Sequence, residues 1–172
     1  MSNLRQYLNS QRQTRVLLSI KPQYAEAIML GKKRFEFRRK IFSRQVDIIT
    51  IYVTAPISKV VAEFDVLSII TESLPSLWQR TRKFAGINEA VFYQYFHGLN
   101  CGNAISIGEV RKYDAPFCPV ERLKLRPPQS FAYIDSSFDE YLTLGVKKAQ
   151  VIADEIDHIY RFVEKHQNKK RR

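Results

Sequence analysis

The sequence predicts an α+β domain on a mixed or mostly antiparallel sheet, barrel-like in form, with flanking helices and a C-terminal helical extension. Three observations carry that prediction. Strand-like alternation recurs in short segments along the 172 residues. After residue 31 most connections between those segments are too short to hold the crossover helix that a parallel pair requires. From residue 137 onward, apolar residues return at three- and four-residue intervals. Hydrophobic residues at 45% and charged residues at 26% are ordinary for a globular chain, which excludes wholesale disorder. The expected organisation is a basic arm over 1–15, a folded domain over 16–135, a helix over 136–165 packed on that domain, and a basic tail over 166–172.

Residues 16–21 (VLLSIK) alternate as a strand, with Val16, Leu18 and Ile20 on one face and Leu17, Ser19 and Lys21 on the other. Pro22 and Gly31 then punctuate a helix over 22–30, proline at its first position and glycine just past its end. Tyr24, Ala27, Ile28 and Leu30 form its apolar stripe. Residues 34–41 alternate again: Phe35 and Phe37 point one way, Arg34, Glu36, Arg38 and Lys40 the other. Residues 46–53 (VDIITIYV) are β-branched and apolar on both faces, as in a central strand. Residues 60–66 place Val60, Ala62, Phe64 and Val66 inward, Glu63 and Asp65 outward. Short helices follow over 75–84 and 88–96, parted by Gly86. Strands over 104–110 and 130–134 complete the set. Ser137 and Glu140 have capping-box spacing at the head of the last helical stretch, which Gly145 divides.

The net charge of +11 is concentrated. Residues 1–15 carry net +3, residues 32–44 net +6 and residues 161–172 net +5, so the rest of the chain is slightly acidic. A polyanionic partner follows. The two terminal runs are either sequence-independent phosphate contacts or plain solvated tails. No apolar run approaches the ~18 residues of a membrane helix, so no membrane partner is expected. The N-terminus lacks the apolar middle of a signal peptide. Two widely spaced cysteines, Cys101 and Cys118, suit a reducing cytoplasm, and three histidines without i, i+4 spacing make no metal site. No cofactor is expected, and a monomer is favoured.

The stretch with most chemistry runs from Ser19 through Arg39. Lys21 ends one strand, Lys33 begins the next after the helix, and Glu36 and Arg38 share a face of it. If the strands lie side by side, three cations and one carboxylate converge. Arg38 can grip a phosphate with both arms of its guanidinium, while Lys21 and Lys33 act as point charges. Glu36 has no place on bare phosphate. It accepts from an exocyclic amine or a ribose hydroxyl, or it holds the cations in position, or it is simply an ion-pair partner of Arg38 or Lys21. Arg39 falls on the phenylalanine face and supports the cleft from behind. Thr54 offers a hydroxyl and Tyr52 a stacking surface, unless Tyr52 is half-buried packing. Trp78 reads as core. Arg80, Arg82 and Lys83 read as a solvated helix face, with a phosphate track as the alternative.

This stretch resembles the signature of the ASCH domains, a branch of the PUA-like superfamily. Their hallmark is a glycine, a lysine two residues on, then an acidic or polar residue and an arginine on the next strand: here Gly31, Lys33, Glu36 and Arg38. Residues 19–22 (SIKP), 60–66 (VVAEFDV) and 127–133 (PPQSFAY) fit in the same order, so the resemblance spans roughly 16–134. It implies a PUA-like β-barrel with a cleft where the signature gathers, and it brings Gln129 and Ser130 into the candidate set. Family members bind RNA or nucleotides, some act on modified nucleosides and some are described as nucleases. One branch hydrolyses acylated cytidine nucleosides with the signature lysine and a threonine on the next strand. Lys33 matches that lysine, but Glu36 stands at the threonine position, so that nucleophile is missing. The resemblance thus implies RNA or nucleotide binding, with hydrolysis of RNA or of a modified nucleoside as the alternative and Lys33 and Glu36 as its catalytic candidates. A third role, docking of a partner by the C-terminal helix, needs its apolar stripe exposed.

Overall fold

The computed structural model describes residues 13–123 and 125–134. The bulk of the expected basic arm (1–12), the C-terminal helix (136–165) and the basic tail (166–172) lie outside the described residues. Arg15, counted with that arm, is instead the buried first residue of a strand.

In chain order the elements are β1 (Arg15–Ile20), α1 (Pro22–Met29), β2 (Phe35–Arg38), β3 (Ile48–Val53), β4 (Lys59–Ser73), α2 (Leu74–Thr81), a single 3-10 turn (Arg82–Phe84), α3 (Glu89–Tyr95), β5 (Cys101–Phe117), α4 (Pro119–Leu123) and β6 (Phe131–Ile134). The strands form one six-stranded sheet in the order β2-β5-β4-β3-β1-β6. β1 runs parallel to β3, with α1 and β2 in the connection between them; every other neighbouring pair is antiparallel. The architecture is the expected mixed α+β sheet.

Local chemistry sets the first turn of the fold. Pro22 opens α1 where its missing N–H costs nothing. Gly31 closes it at φ +71°, a left-handed backbone that glycine adopts without penalty. The amides of Lys32 and Lys33 both reach back to the carbonyl of Ala27, so the chain leaves the helix already aimed at β2.

Two strands are longer than their alternation predicts. β4 continues seven residues past Val66, and β5 extends beyond 104–110 at both ends. The extensions pair with each other, Ser73 opposite Cys101 and Ile70 opposite Ala104. Register shifts around Val60, Val66 and Ser68 break the alternation there. The shift near Val60 also sends that residue to a different cluster from Ala62 and Phe64: Val60 packs with Leu17 and Tyr52, the other two with Val16, Leu18 and Ile49. A third cluster gathers Phe37, Leu77, Phe92 and Phe96 under α2 and α3. There the ring of Phe92 lies 5.0 Å from both Phe37 and Trp78, which places Trp78 in the core as expected.

The barrel is loose. β2 and β6 are the two edges of the sheet and do not pair. Side chains bridge them instead. Arg38, the last residue of β2, donates to the carbonyl and hydroxyl of Ser130 just before β6, at 3.1 and 2.8 Å. Phe42 meets Phe131 ring to ring at 4.9 Å, and the Arg44 amide donates to the Tyr133 hydroxyl at 3.1 Å. The sheet curls enough for its edges to be laced by side chains while the backbone ladder stays open.

Candidate functional site

A cavity of about 560 Å³ lies at this seam. The end of β1 contributes Ser19, Ile20 and Lys21; α1 contributes Tyr24; β2 contributes Glu36, Phe37 and Arg38. Ile87, Val91 and Tyr95 form a wall from α3 and the turn before it, and Gln129 and Ser130 close the far side. Such a volume fits one nucleotide-sized ligand.

Lys33 is the most constrained group in it. Its residue is 2% exposed, and its ammonium donates to the Ala85 carbonyl at 2.7 Å. The nitrogen also lies 4.6 Å from the centre of the Phe37 ring and 5.6 Å from that of Tyr24. Burial pushes its pKa below the usual lysine range, and the nearby Glu36 carboxylate only partly restores it. The aliphatic stem passes close against Gly86, which stands at φ +68°. A Cβ there would fall 2.6 Å from the Cβ of Lys33. Glycine is therefore required for the 84–87 turn to lie this close to the lysine.

Glu36 is 5% exposed, yet its ionic contacts are long: 3.8 Å to Lys33 and 3.5 Å to Arg38. A buried carboxylate held this loosely, beside open volume, retains capacity to accept from a ligand donor. Arg38 is spent on the seam, donating to Ser130 and to the Ser19 carbonyl at 3.2 Å. Arg39 donates to the carbonyls of Tyr95 and His97 at 2.7 and 3.0 Å. Lys21 is exposed and, among the described residues, forms no ion pair. Burial pushes the Tyr95 phenol up, against the opposing pull of Arg38, so it stays protonated across the physiological range.

The cavity thus brings together Lys21, Lys33, Glu36, Arg38, Arg39, Thr54 and Ser130. Tyr52 is the exception. It is 8% exposed and packs with Leu17 and Val60 in a separate cluster, so it is core and offers no stacking face to this cavity. The side chains of Lys33 and Arg38 are engaged inside the protein, unlike the open phosphate-gripping cations that the sequence suggested.

A model of the ASCH domain matches residues 18–111, more than half of the chain. The chain belongs to the ASCH domain family. It is 29% identical over 122 residues to the "ASCH domain-containing ribonuclease" of Zymomonas mobilis, a match that covers 69% of this chain and 82% of that one. The crystal structure of ASCH from Zymomonas mobilis superposes with a TM-score of 0.69 at 27% identity, over 75% of this chain and 93% of that one. A 120-residue stretch is also 29% identical to the ATP synthase subunit alpha of Ureaplasma parvum serovar 3, covering 69% of this chain but only 15% of that much longer one. The fold is the PUA-like one the resemblance implies.

Within this ASCH domain, sequence reasoning missed the wall opposite the signature. Val91 and Tyr95 read only as helix-forming residues, Tyr24 only as part of an apolar stripe, and Ile87 carried no reading. Gly86 read as a separator between helices. Its glycine was visible, but its use against a lysine 53 positions earlier was not.

Proposed function

We propose that this protein binds single-stranded RNA and admits one nucleotide into the seam cavity. The carrying observation is the loosely held Glu36 carboxylate beside Lys33 in a nucleotide-sized hollow walled by Tyr24, Phe37 and Tyr95. The aromatic and aliphatic walls suit the faces of a splayed base, as single-strand recognition requires. Glu36 accepts from an exocyclic amine or a ribose hydroxyl. Lys21, exposed at the end of β1, supplies charge for a phosphate. The ribonuclease name of the Zymomonas mobilis relative supports RNA as the ligand. Two free cysteines, neither buried, suit a reducing cytoplasmic setting. The folded unit of this function is the sheet from β1 to β6, residues 15–134, with the basic termini adding sequence-independent attraction.

A second reading, hydrolysis of RNA, is favoured by the place of Lys33, buried in the cavity wall where burial lowers its pKa. A buried amine that loses its proton more easily than ordinary lysine can take one from an attacking hydroxyl. In that reading the 2′-hydroxyl attacks the adjacent phosphorus as its proton passes to Lys33. The bond from phosphorus to the 5′-oxygen breaks as that oxygen takes a proton from solvent water, and a 2′,3′-cyclic phosphate remains.

Binding of single-stranded RNA to the parent, Glu36→Gln and Lys33→Met, followed by analysis of products, tests both. Binding weakened about tenfold or more by Glu36→Gln, in a variant that stays folded, supports the cavity as the site. Unchanged binding by both variants removes the cavity from the proposal. A cyclic-phosphate product formed by the parent and lost in Lys33→Met establishes the hydrolytic reading.

A further inference from the structure

Outside the cavity, the two segments that pin Lys33 create a second feature. The amide of Arg34 donates to the Phe84 carbonyl at 2.9 Å, which splices the strand-leading turn at 32–34 to the 3-10 turn at Arg82–Phe84. The guanidinium of Arg34 lies over the Phe84 ring at 4.4 Å, and the ammonium of Lys83 approaches the same ring at 5.4 Å. The two cations are therefore at most about 10 Å apart, within roughly one Debye length at 0.1 M salt. Lys32 and Arg82 are exposed beside them. Among the described residues, none of these four cations forms an ion pair. Arg80, one turn away, differs in being paired to Glu72. Glu36, the acid nearest to Arg34 in sequence, is turned inward to Lys33.

Mutual repulsion of unpaired cations costs free energy that a polyanion relieves. We propose that Arg34 and Lys83, both over the Phe84 ring, together with their exposed chain neighbours Lys32 and Arg82, form a phosphate-binding ridge for the RNA strand whose nucleotide occupies the cavity. The ridge lies on the outer side of the wall that holds Lys33: residues 32 and 34 are exposed while Lys33 between them runs inward, and Ala85 beyond Phe84 holds its ammonium. In this proposal one strand places a base in the cavity and lays neighbouring phosphates on the ridge across the wall that Lys33 and Ala85 share. The inference rests on the RNA reading above. It adds where the backbone runs, and it predicts that a long strand outbinds a short one.

The test compares the full-length parent with Arg34→Gln/Arg82→Gln/Lys83→Gln, checked for an unchanged melting curve. Each is titrated with a single-stranded RNA of about 20 nucleotides and with a dinucleotide, between about 0.05 and 0.2 M salt. The triple variant is expected to bind the long RNA about tenfold or more weakly. Its log–log salt slope should be shallower by about 2, the loss of three phosphate contacts on a single strand. Dinucleotide binding should be unchanged. A triple variant that binds long RNA with the parent's affinity and slope overturns the ridge and leaves the cavity reading intact. A parent that binds neither RNA overturns both. Loss of binding to anionic phospholipid vesicles without loss of RNA binding overturns the ridge in favour of a membrane surface.

Discussion

Two groups of cations and carboxylates sit on this sheet, and they are held differently. One is a row across three strands: Thr50 of β3 opposite Glu63 of β4, and Glu63 opposite Arg111 of β5. Glu63 accepts from Arg111 at 2.9 Å, from the Tyr113 hydroxyl at 2.7 Å and from Arg15, while Arg111 also grips Asp65 at 2.6 and 2.9 Å. The other is Lys33, Glu36 and Arg38, where the carboxylate's ionic contacts are 3.5 and 3.8 Å and open volume adjoins them. The residue types are nearly the same. The difference teaches that charge on a strand face does not make a site. A carboxylate saturated by short bonds is structural, whereas one left with capacity beside a cavity can meet a ligand.

Replacing the saturated carboxylate should give the largest effect on stability. Glu63→Ala leaves Arg15 and Arg111 without their shared acceptor in a largely buried place, at a cost of about 3–5 kcal/mol. Urea unfolding measures it. Glu36→Gln keeps the shape of the looser group, whose ionic contacts are long, and should cost less, about 1–3 kcal/mol, while weakening RNA binding. Equal destabilisation by the two substitutions would erase the distinction between the regions.

An intermediate effect is expected at Gly86. Gly86→Ala must place a Cβ against the stem of Lys33 on a left-handed backbone, costing about 1–3 kcal/mol. Because the same turn carries the Ala85 carbonyl that receives the Lys33 ammonium, the substitution should weaken RNA binding as well as stability. A stability loss with parent-like binding would show that the position of Lys33 does not matter to the site.

These two regions also divide what the sequence can reveal. The alternation over 34–41 and the Pro22 and Gly31 punctuation are local, so β2 and its approach are readable from the residues, while the resemblance singles out Gly31, Lys33, Glu36 and Arg38. Glu63 was read as outward because it alternates with Ala62 and Phe64. It is buried because Arg15 and Tyr113, distant in sequence, cover it. Arg38 was read as a phosphate grip. Its role in lacing β2 to the start of β6 depends on a curl of the sheet that no local pattern encodes. The ends of β4 and β5 were missed for the related reason that bulges interrupt their alternation. Local periodicity reveals which residues share a face, and only long-range pairing decides what that face meets.

The smallest effect, and the one that separates the regions by sign, is the pH dependence of stability. Burial pushes the Glu63 carboxyl up, but bonds from Tyr113, Arg15 and Arg111 together hold it below its ordinary 4.5. The bonds from Arg111 hold Asp65 below its ordinary 3.8. Their contribution is complete above those ordinary values and is lost as pH falls through the lower folded-state ones. Lys33 runs the other way. Burial lowers its pKa from 10.5, so the folded protein sheds this proton before the unfolded chain does. Between the lowered value and 10.5 the unfolded state binds more protons, and stability contributed by this group rises with pH. Lys33→Met should therefore flatten the alkaline limb of the stability profile and leave the acid limb unchanged, measured by urea midpoints across pH. An alkaline limb identical to the parent's would mean that the Lys33 ammonium carries no burial cost, and with it would go the reason for assigning Lys33 the proton-accepting role.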